Sequence, residues 1–225
     1  MPTSNYAQIT TITEIISHIN PPSILDVGVG FGKYGFLARE YLELWDEKNE
    51  YDKWKYRIDG IEVFKEYLTP MHDFIYDHIY IGNALKILPD IKHEYDLILL
   101  IDVLEHFDYK DGVDILDACV KTGRNILIST PKDIGYQGTN CVKCRGTHFE
   151  NKYETHRFQW EARHFKKYNP VIIADQSNLI CFIGEQAPKI RKKIKKREKS
   201  ELKWRIRNRF PILKYPYRII KALLK

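Results

Sequence analysis

The chain has 225 residues, 44% of them apolar and 29% charged, enough apolar material for one domain with a full core and an appendage. Its net charge of +6 conceals two opposite parts: residues 189–225 hold 16 Lys and Arg against two acids, so residues 1–188 carry a net −8. No run approaches the ~20 apolar residues of a spanning helix, and Met1-Pro2-Thr3-Ser4-Asn5 lacks the basic and apolar regions of a secretory signal.

Thr10 to Ile19 predicts an amphipathic helix with Ile12, Ile15, Ile16 and Ile19 on one face, stopped by Pro21-Pro22. Ser23 to Val27 predicts a strand buried on both sides. It runs into Gly28-Val29-Gly30-Phe31-Gly32, a turn whose glycines let backbone approach a ligand closely. Lys33 to Trp45 predicts a helix with Phe36, Leu37, Tyr41 and Leu44 as its packing stripe. The start of that helix offers unpaired N–H groups to a polar or anionic ligand. Asp46 to Tyr56 reads as a surface excursion. Arg57 to Val63 predicts a second strand ending at Glu62, and Tyr67 to Asp77 a helix with Pro70 in its first turn. His78 to Ile81 predicts a short third strand, followed by Gly82-Asn83-Ala84. Tyr95 to Asp102 is the clearest buried strand. Tyr109 to Thr122 predicts a helix closed by Gly123. Arg124 to Ser129 predicts the fifth strand, and residues 132–155 read as irregular. Glu161 to Tyr168 predicts a helix. Val171 to Asp175 and Leu179 to Ile183 predict two strands joined so closely that they must be antiparallel.

Five β–α units and a terminal hairpin imply an α/β fold: a mostly parallel, doubly wound sheet with helices on both faces. Ligands of such sheets bind outside the carboxyl ends of the strands, where the strand order reverses. Asp26, Glu62, Asn83, Asp102 and Thr130 all fall at or just beyond such ends.

Four stretches together carry a family resemblance: Leu25-Asp26-Val27-Gly28-Val29-Gly30-Phe31-Gly32, Gly60-Ile61-Glu62, Gly82-Asn83-Ala84, and Tyr95 to His106 with its Val103-Leu104-Glu105-His106 turn. Residues from about 20 to 185 resemble a class I S-adenosylmethionine-dependent methyltransferase of the small-molecule branch. The resemblance implies a Rossmann-like seven-stranded sheet with one antiparallel strand, matching the terminal hairpin. It also implies S-adenosylmethionine as cofactor. Gly28, Gly30 and Gly32 would lie against its methionine and ribose, with Asp26 on the methionyl amino group and Glu62 on the ribose hydroxyls. Asn83 and Ala84 would meet the adenine, and Asp102 and Val103 the floor beside the sulfonium. A nicotinamide-dependent oxidoreductase fits less well. Its glycine fingerprint needs glycine at position 33, which is Lys33. Its ribose acid should follow about 20 residues on, well before Glu62.

Methyl transfer to a hydroxyl or amine is helped by a base. His106 is the first candidate, because an imidazole titrates near neutral pH. His156, in a segment expected to close over the site, is the second. Cys141-Val142-Lys143-Cys144 with His148 and His156 has zinc-ligand residue types, but one C-x-x-C without a partner pair is weak and no metal site is expected. Four cysteines make no disulfide framework, so a reducing, cytoplasmic setting is the expectation.

The boundary falls near 188: a methyltransferase-like domain over 1–188 and a basic, aromatic-rich tail over 189–225. Basic residues mixed with Trp204, Tyr215 and Tyr217 suit an anionic membrane surface, with Pro211 and Pro216 breaking the tail into short pieces. The acceptor expected from this combination is a polar small molecule, such as a sugar or a lipid-linked glycan intermediate. An RNA methyltransferase that holds RNA with the tail is the alternative enzyme. A cofactor-binding scaffold without turnover is the alternative outside enzymes.

Overall fold

The computed structural model describes residues 4–45, 53–134, 151–174 and 177–209. The chain divides into two compact units, Met1–Ala187 and Pro188–Lys225. Cys141, Cys144, His148, Pro211, Pro216 and most of the 46–56 excursion lie outside the described residues.

The first unit is built on seven strands: β1 (Ser23–Val27), β2 (Arg57–Glu62), β3 (His78–Ile81), β4 (Leu97–Ile101), β5 (Asn125–Pro131), β6 (Val171–Ala174) and β7 (Asn178–Gly184). Their order in the sheet is β3-β2-β1-β4-β5-β7-β6. All pairs are parallel except those of β7, which runs antiparallel to both β5 and β6. The expected α/β fold, with one antiparallel strand in a mostly parallel seven-stranded sheet, is therefore what the chain adopts. The order reverses between β1 and β4, so the crevice that such a sheet offers opens beyond those two strands.

The helices are α1 (Ile9–Ile19), α2 (Lys33–Arg39), α3 (Pro70–Ile75), α4 (Ala84–Ile87) and α5 (Tyr109–Thr122). One core joins Leu25, Val27, Ile98, Leu100, Ile126 and Ile128 of the strands to Ile115, Leu116 and Cys119 of α5. Such fully buried aliphatic side chains stabilise by about 1.5–3 kcal/mol each. Ile12, Ile15 and Ile16 of α1 are buried as their spacing predicts.

Three local expectations need correction. The helix from Lys33 is α-helical only to Arg39 and continues as a π-helical turn over Glu40–Leu44. Its buried face is Tyr34, Gly35, Ala38, Arg39 and Glu43, whereas Phe36 is exposed. Arg39 explains the inversion. Its guanidinium donates to the carbonyls of Ile75 and Tyr56 and pairs with Glu43 and Asp77, so a buried charge is satisfied on every side. Tyr67 ends a separate 3-10 turn over Lys65–Tyr67, and the helix proper begins at Pro70 behind the cap residue Thr69. Residues Ala162–Tyr168 are 3-10 rather than α-helical. Gly123 closes α5 as its C-cap, as expected, with extended backbone.

The second unit is described as far as Arg209. It is the helix α6 (Ala187–Arg209), which carries 12 Lys and Arg against Glu198 and Glu201. Leu202 and Trp204 are exposed on it. No helix among the described residues is long and apolar enough to cross a membrane.

Candidate active site

β1 ends at Val27 and the chain turns sharply over Gly28, Gly30 and Gly32, all at positive φ (79°, 54° and 83°). A Cβ on Gly28 would lie 2.6 Å from Val103 Cγ2, so the turn after β1 and the turn after β4 touch only because residue 28 has no side chain. Gly30 is held from both sides. Its N–H donates to Glu62 Oε2 at 2.8 Å, and its carbonyl faces His72 Nε2 at 3.0 Å. His72 is fully buried, and its Nδ1 accepts from the Thr69 amide, which directs Nε2–H at Gly30. Gly32 does not line the cavity; its left-handed backbone caps α2.

Asp26 is buried beside this turn. Tyr76 Oη donates to its Oδ2 at 2.7 Å, and the Gly35 amide in the first turn of α2 also bonds its carboxylate. Burial pushes its carboxyl up to about 7, with the Tyr76 hydrogen bond opposing and the nearby Glu62 charge adding to the rise. Glu62 also accepts from the Phe64 amide at 2.9 Å. Burial raises its pKa, while the amides of Phe64 and Gly30 work against the rise. Asn83 caps α4 by accepting from the Leu85 amide at 2.9 Å.

β4 ends at Ile101, and Asp102 follows with φ 55°, a left-handed conformation uncommon outside glycine. Its carboxylate is turned to the protein. Oδ2 accepts from the Asn5 amide (3.2 Å) and Gln8 Nε2 (2.7 Å), and Oδ1 from Asn178 Nδ2 (3.1 Å). Asp102 thus fastens the N-terminal segment and the start of β7 to the end of β4. Lys33 fastens the same segment from the other side, donating to the Ser4 carbonyl at 2.7 Å.

The 3-10 turn Leu104–His106 follows. Trp160, buried against α5, donates from Nε1 to the Leu104 carbonyl at 3.0 Å. The Glu105 carbonyl accepts from the amides of Arg157 (2.7 Å) and Phe158 (3.3 Å). These bonds bring His156 to His106, with ring centroids 4.9 Å apart. Burial and the facing His156 ring hold the His106 imidazole down to about 4, so it is neutral at physiological pH. That overturns the near-neutral titration expected of it.

One cavity of about 950 Å³ gathers these parts. Asp26, Gly28, Gly30, Glu62, Asn83, Ala84, Asp102, Val103, His106 and His156 all line it. Strand order places Glu62 and Asn83 to one side of β1 and the 102–106 turn to the other. Sequence reasoning missed Tyr76, His72, Gln8, Tyr67 and Asn178. None carries a local motif; Tyr67 follows Glu62 closely, and the others bond residues of the site that are distant in the chain. Glu105 stood inside the quoted turn without a role.

A volume of this size lies within the roughly 300–1,000 Å³ that takes a drug-sized ligand. The glycine cradle, two buried acids and a polar rim fit a zwitterionic nucleoside such as S-adenosylmethionine. No protein-family model matches this sequence, and no curated protein matches it. The solved structures do. The N-terminal domain of EvdMO1, solved with SAH and D-fucose, aligns with a TM-score of 0.55 at 12% identity, over 80% of this chain and 84% of that one. Magnesium protoporphyrin IX methyltransferase (ChlM) from Synechocystis PCC 6803, with bound SAH, gives 0.52 at 11% identity over 79% and 82%. An O-methyltransferase family protein from Burkholderia thailandensis gives 0.52 at 11% identity. The alignment covers 78% of this chain but only 56% of that protein, so this chain spans little more than half its length. At these identities the likeness establishes the fold: the chain has the class I methyltransferase fold.

Proposed function

We propose that this chain is a methyltransferase that moves the methyl group of S-adenosylmethionine to an oxygen of a polar acceptor, a sugar or glycan intermediate by preference. The observation that carries the reading is one cavity at the β1/β4 switch point, which joins the glycine cradle, Glu62 and Asn83 to the His106–His156 pair. The neighbour solved with SAH and D-fucose supports a sugar-like acceptor.

S-adenosylmethionine supplies, when bound, an electrophilic methyl carbon on a sulfonium. The protein's part is alignment and exclusion of water. Asp26 would take the methionyl ammonium, which favours its charged form. Glu62 keeps lone pairs for the ribose hydroxyls beyond those given to Gly30 and Phe64. Asn83 and Ala84 would border the adenine. Asp102, whose carboxylate is engaged by Asn5, Gln8 and Asn178, acts through position: with Val103 it shapes the floor. His106 and His156 face the acceptor.

The tail supports a place beside an anionic membrane at the cytoplasmic face. Basic residues run all round α6 rather than along one side, which suits attraction to headgroups more than insertion. Liposome flotation of the full chain and of a chain ending at residue 188 tests this. Anionic vesicles should lift only the full chain; binding of RNA instead of vesicles would favour the RNA reading. For the chemistry, methyl-labelled S-adenosylmethionine is incubated with reducing sugars and with lipid extracts. Label in an alkali-stable ether supports the proposal; cofactor binding without label transfer to any fraction favours the scaffold.

A further inference from the structure

We propose that Glu105, His106 and His156 form a binding site for a divalent first-row transition-metal cation, which holds the acceptor oxygen for methyl transfer. The inference rests on the methyl-transfer reading of the same cavity.

One ligating atom from each of the three side chains lies within 4.8 Å of the other two. A cation between them would reach ligand distances of about 2.0–2.2 Å once the side chains close in on it. Glu105 is 1% exposed, and its Oε2 has no hydrogen-bond partner among the described residues. A buried carboxylate oxygen left in that state is costly unless a cation or donor meets it. Glu105 nonetheless lines the cavity rather than the core alone.

The outer contacts fit the same reading. His106 Nδ1 faces the Thr155 carbonyl at 3.4 Å, and His156 Nδ1 faces the Ile134 carbonyl at 3.2 Å. A carbonyl can only accept, so a proton on each Nδ1 satisfies these contacts and is the tautomer in which Nε2 can ligate. Ligating histidines almost always make this second bond, which fixes ring orientation and tautomer. The ligands come from two distant stretches, and the Glu105 carbonyl bonds to the Arg157 and Phe158 amides hold those stretches together. Two imidazoles and one carboxylate suit Mn²⁺, Fe²⁺ or Zn²⁺ better than Mg²⁺ or Ca²⁺, and three protein ligands leave positions open for an acceptor.

The role follows from the charge. An acceptor hydroxyl on the cation loses its proton to solvent water more readily. Its oxygen then forms the bond to the methyl carbon as the carbon–sulfur bond breaks. The electron pair of that bond stays on the sulfur, which leaves as a neutral thioether.

The test titrates Mn²⁺ into the EDTA-stripped full chain, with free Mn²⁺ read by electron paramagnetic resonance. SAH affinity is measured separately by calorimetry. One Mn²⁺ per chain should bind, displaced by Zn²⁺. Glu105→Gln and His156→Asn should each weaken Mn²⁺ by at least about tenfold while leaving SAH affinity within about twofold. His156 is only half-buried, so His156→Asn keeps the test open if Glu105→Gln fails to fold. Absence of Mn²⁺ binding by the wild-type chain, or binding that none of these substitutions alters, would overturn the proposal. Loss of SAH binding by the wild-type chain would instead strike the cofactor reading.

Discussion

Glu62 and Gly30 are joined by a hydrogen bond of 2.8 Å that runs from the backbone of the first β–α turn to the carboxylate ending the second strand. An acid expected to face ligand alone is also the clamp on the turn that would cradle that ligand. The second oxygen holds the Phe64 amide in the same way.

Replacing Glu62 should therefore damage fold and binding together. Glu62→Ala leaves the Gly30 and Phe64 amides without their acceptors and should cost about 1–3 kcal/mol. Glu62→Gln keeps one acceptor oxygen and should cost less. Both should weaken S-adenosylmethionine binding by more than about tenfold, equivalent to 1.4 kcal/mol. Thermal unfolding and calorimetry on the two variants separate the effects.

Gly28→Ala should be destabilising and should block the cofactor. The new methyl would meet Val103 at 2.6 Å, in a backbone region that side chains avoid. The expected loss is about 1–3 kcal/mol. Double substitution with Val103→Ala should restore stability in part, because the clash is relieved while the left-handed strain remains. Denaturant titration of the pair checks it.

Stability should fall as pH rises through neutrality. The Asp26 carboxyl is pushed up to about 7 in the folded chain against 3.8 ordinarily. Between those values the folded state holds a proton that the unfolded state has released. The stabilisation is thus full below about pH 4 and is lost progressively up to and just beyond pH 7. Asp26→Asn should flatten this segment of the stability profile. Tyr76→Phe removes a bond that favours the carboxylate and should move the midpoint upward. If Asp26 takes the methionyl ammonium, S-adenosylmethionine affinity should rise from pH 6 to pH 8, and Asp26→Asn should abolish that rise.

Trp160 should matter to turnover without touching the cofactor. Its indole holds the Leu104 carbonyl at 3.0 Å and fills the space left by Gly112. Trp160→Phe should keep most of the packing but release the turn that carries Glu105 and His106. We expect kcat to drop with SAH affinity unchanged. Trp160→Ala should cost about 3–5 kcal/mol. Steady-state kinetics beside calorimetry distinguishes the two variants.

The sheet was legible because its signals are local. Ser23–Val27 and His78–Ile81 coincide with their predicted spans, and so does α5. The two strands are short, mostly apolar runs bounded by turn formers, and α5 has apolar residues on one face and Gly123 at its end. The helix at Lys33 was misread for the opposite reason. Arg39 and Glu43 are buried as an ion pair that also engages Asp77 and two carbonyls, and no periodicity of apolar residues announces such a network. Within the site, the motif residues after β1, β2 and β4 were legible because a β–α turn is short. Tyr76 and His72 were not, since α3 brings them to Asp26 and Gly30 from more than 40 residues away. Asp102 illustrates the middle case: its place at the strand end was legible, but Gln8 and Asn178, which occupy its carboxylate, come from both ends of the domain.

The central question is what the cavity between β1 and β4 binds. Isothermal titration of the full chain with S-adenosylmethionine, SAH and NADH measures that directly. One site for S-adenosylmethionine and SAH in the micromolar range is expected, about −8 kcal/mol, lost in Gly28→Ala, with no heat from NADH. Binding of NADH with none of S-adenosylmethionine or SAH would contradict it.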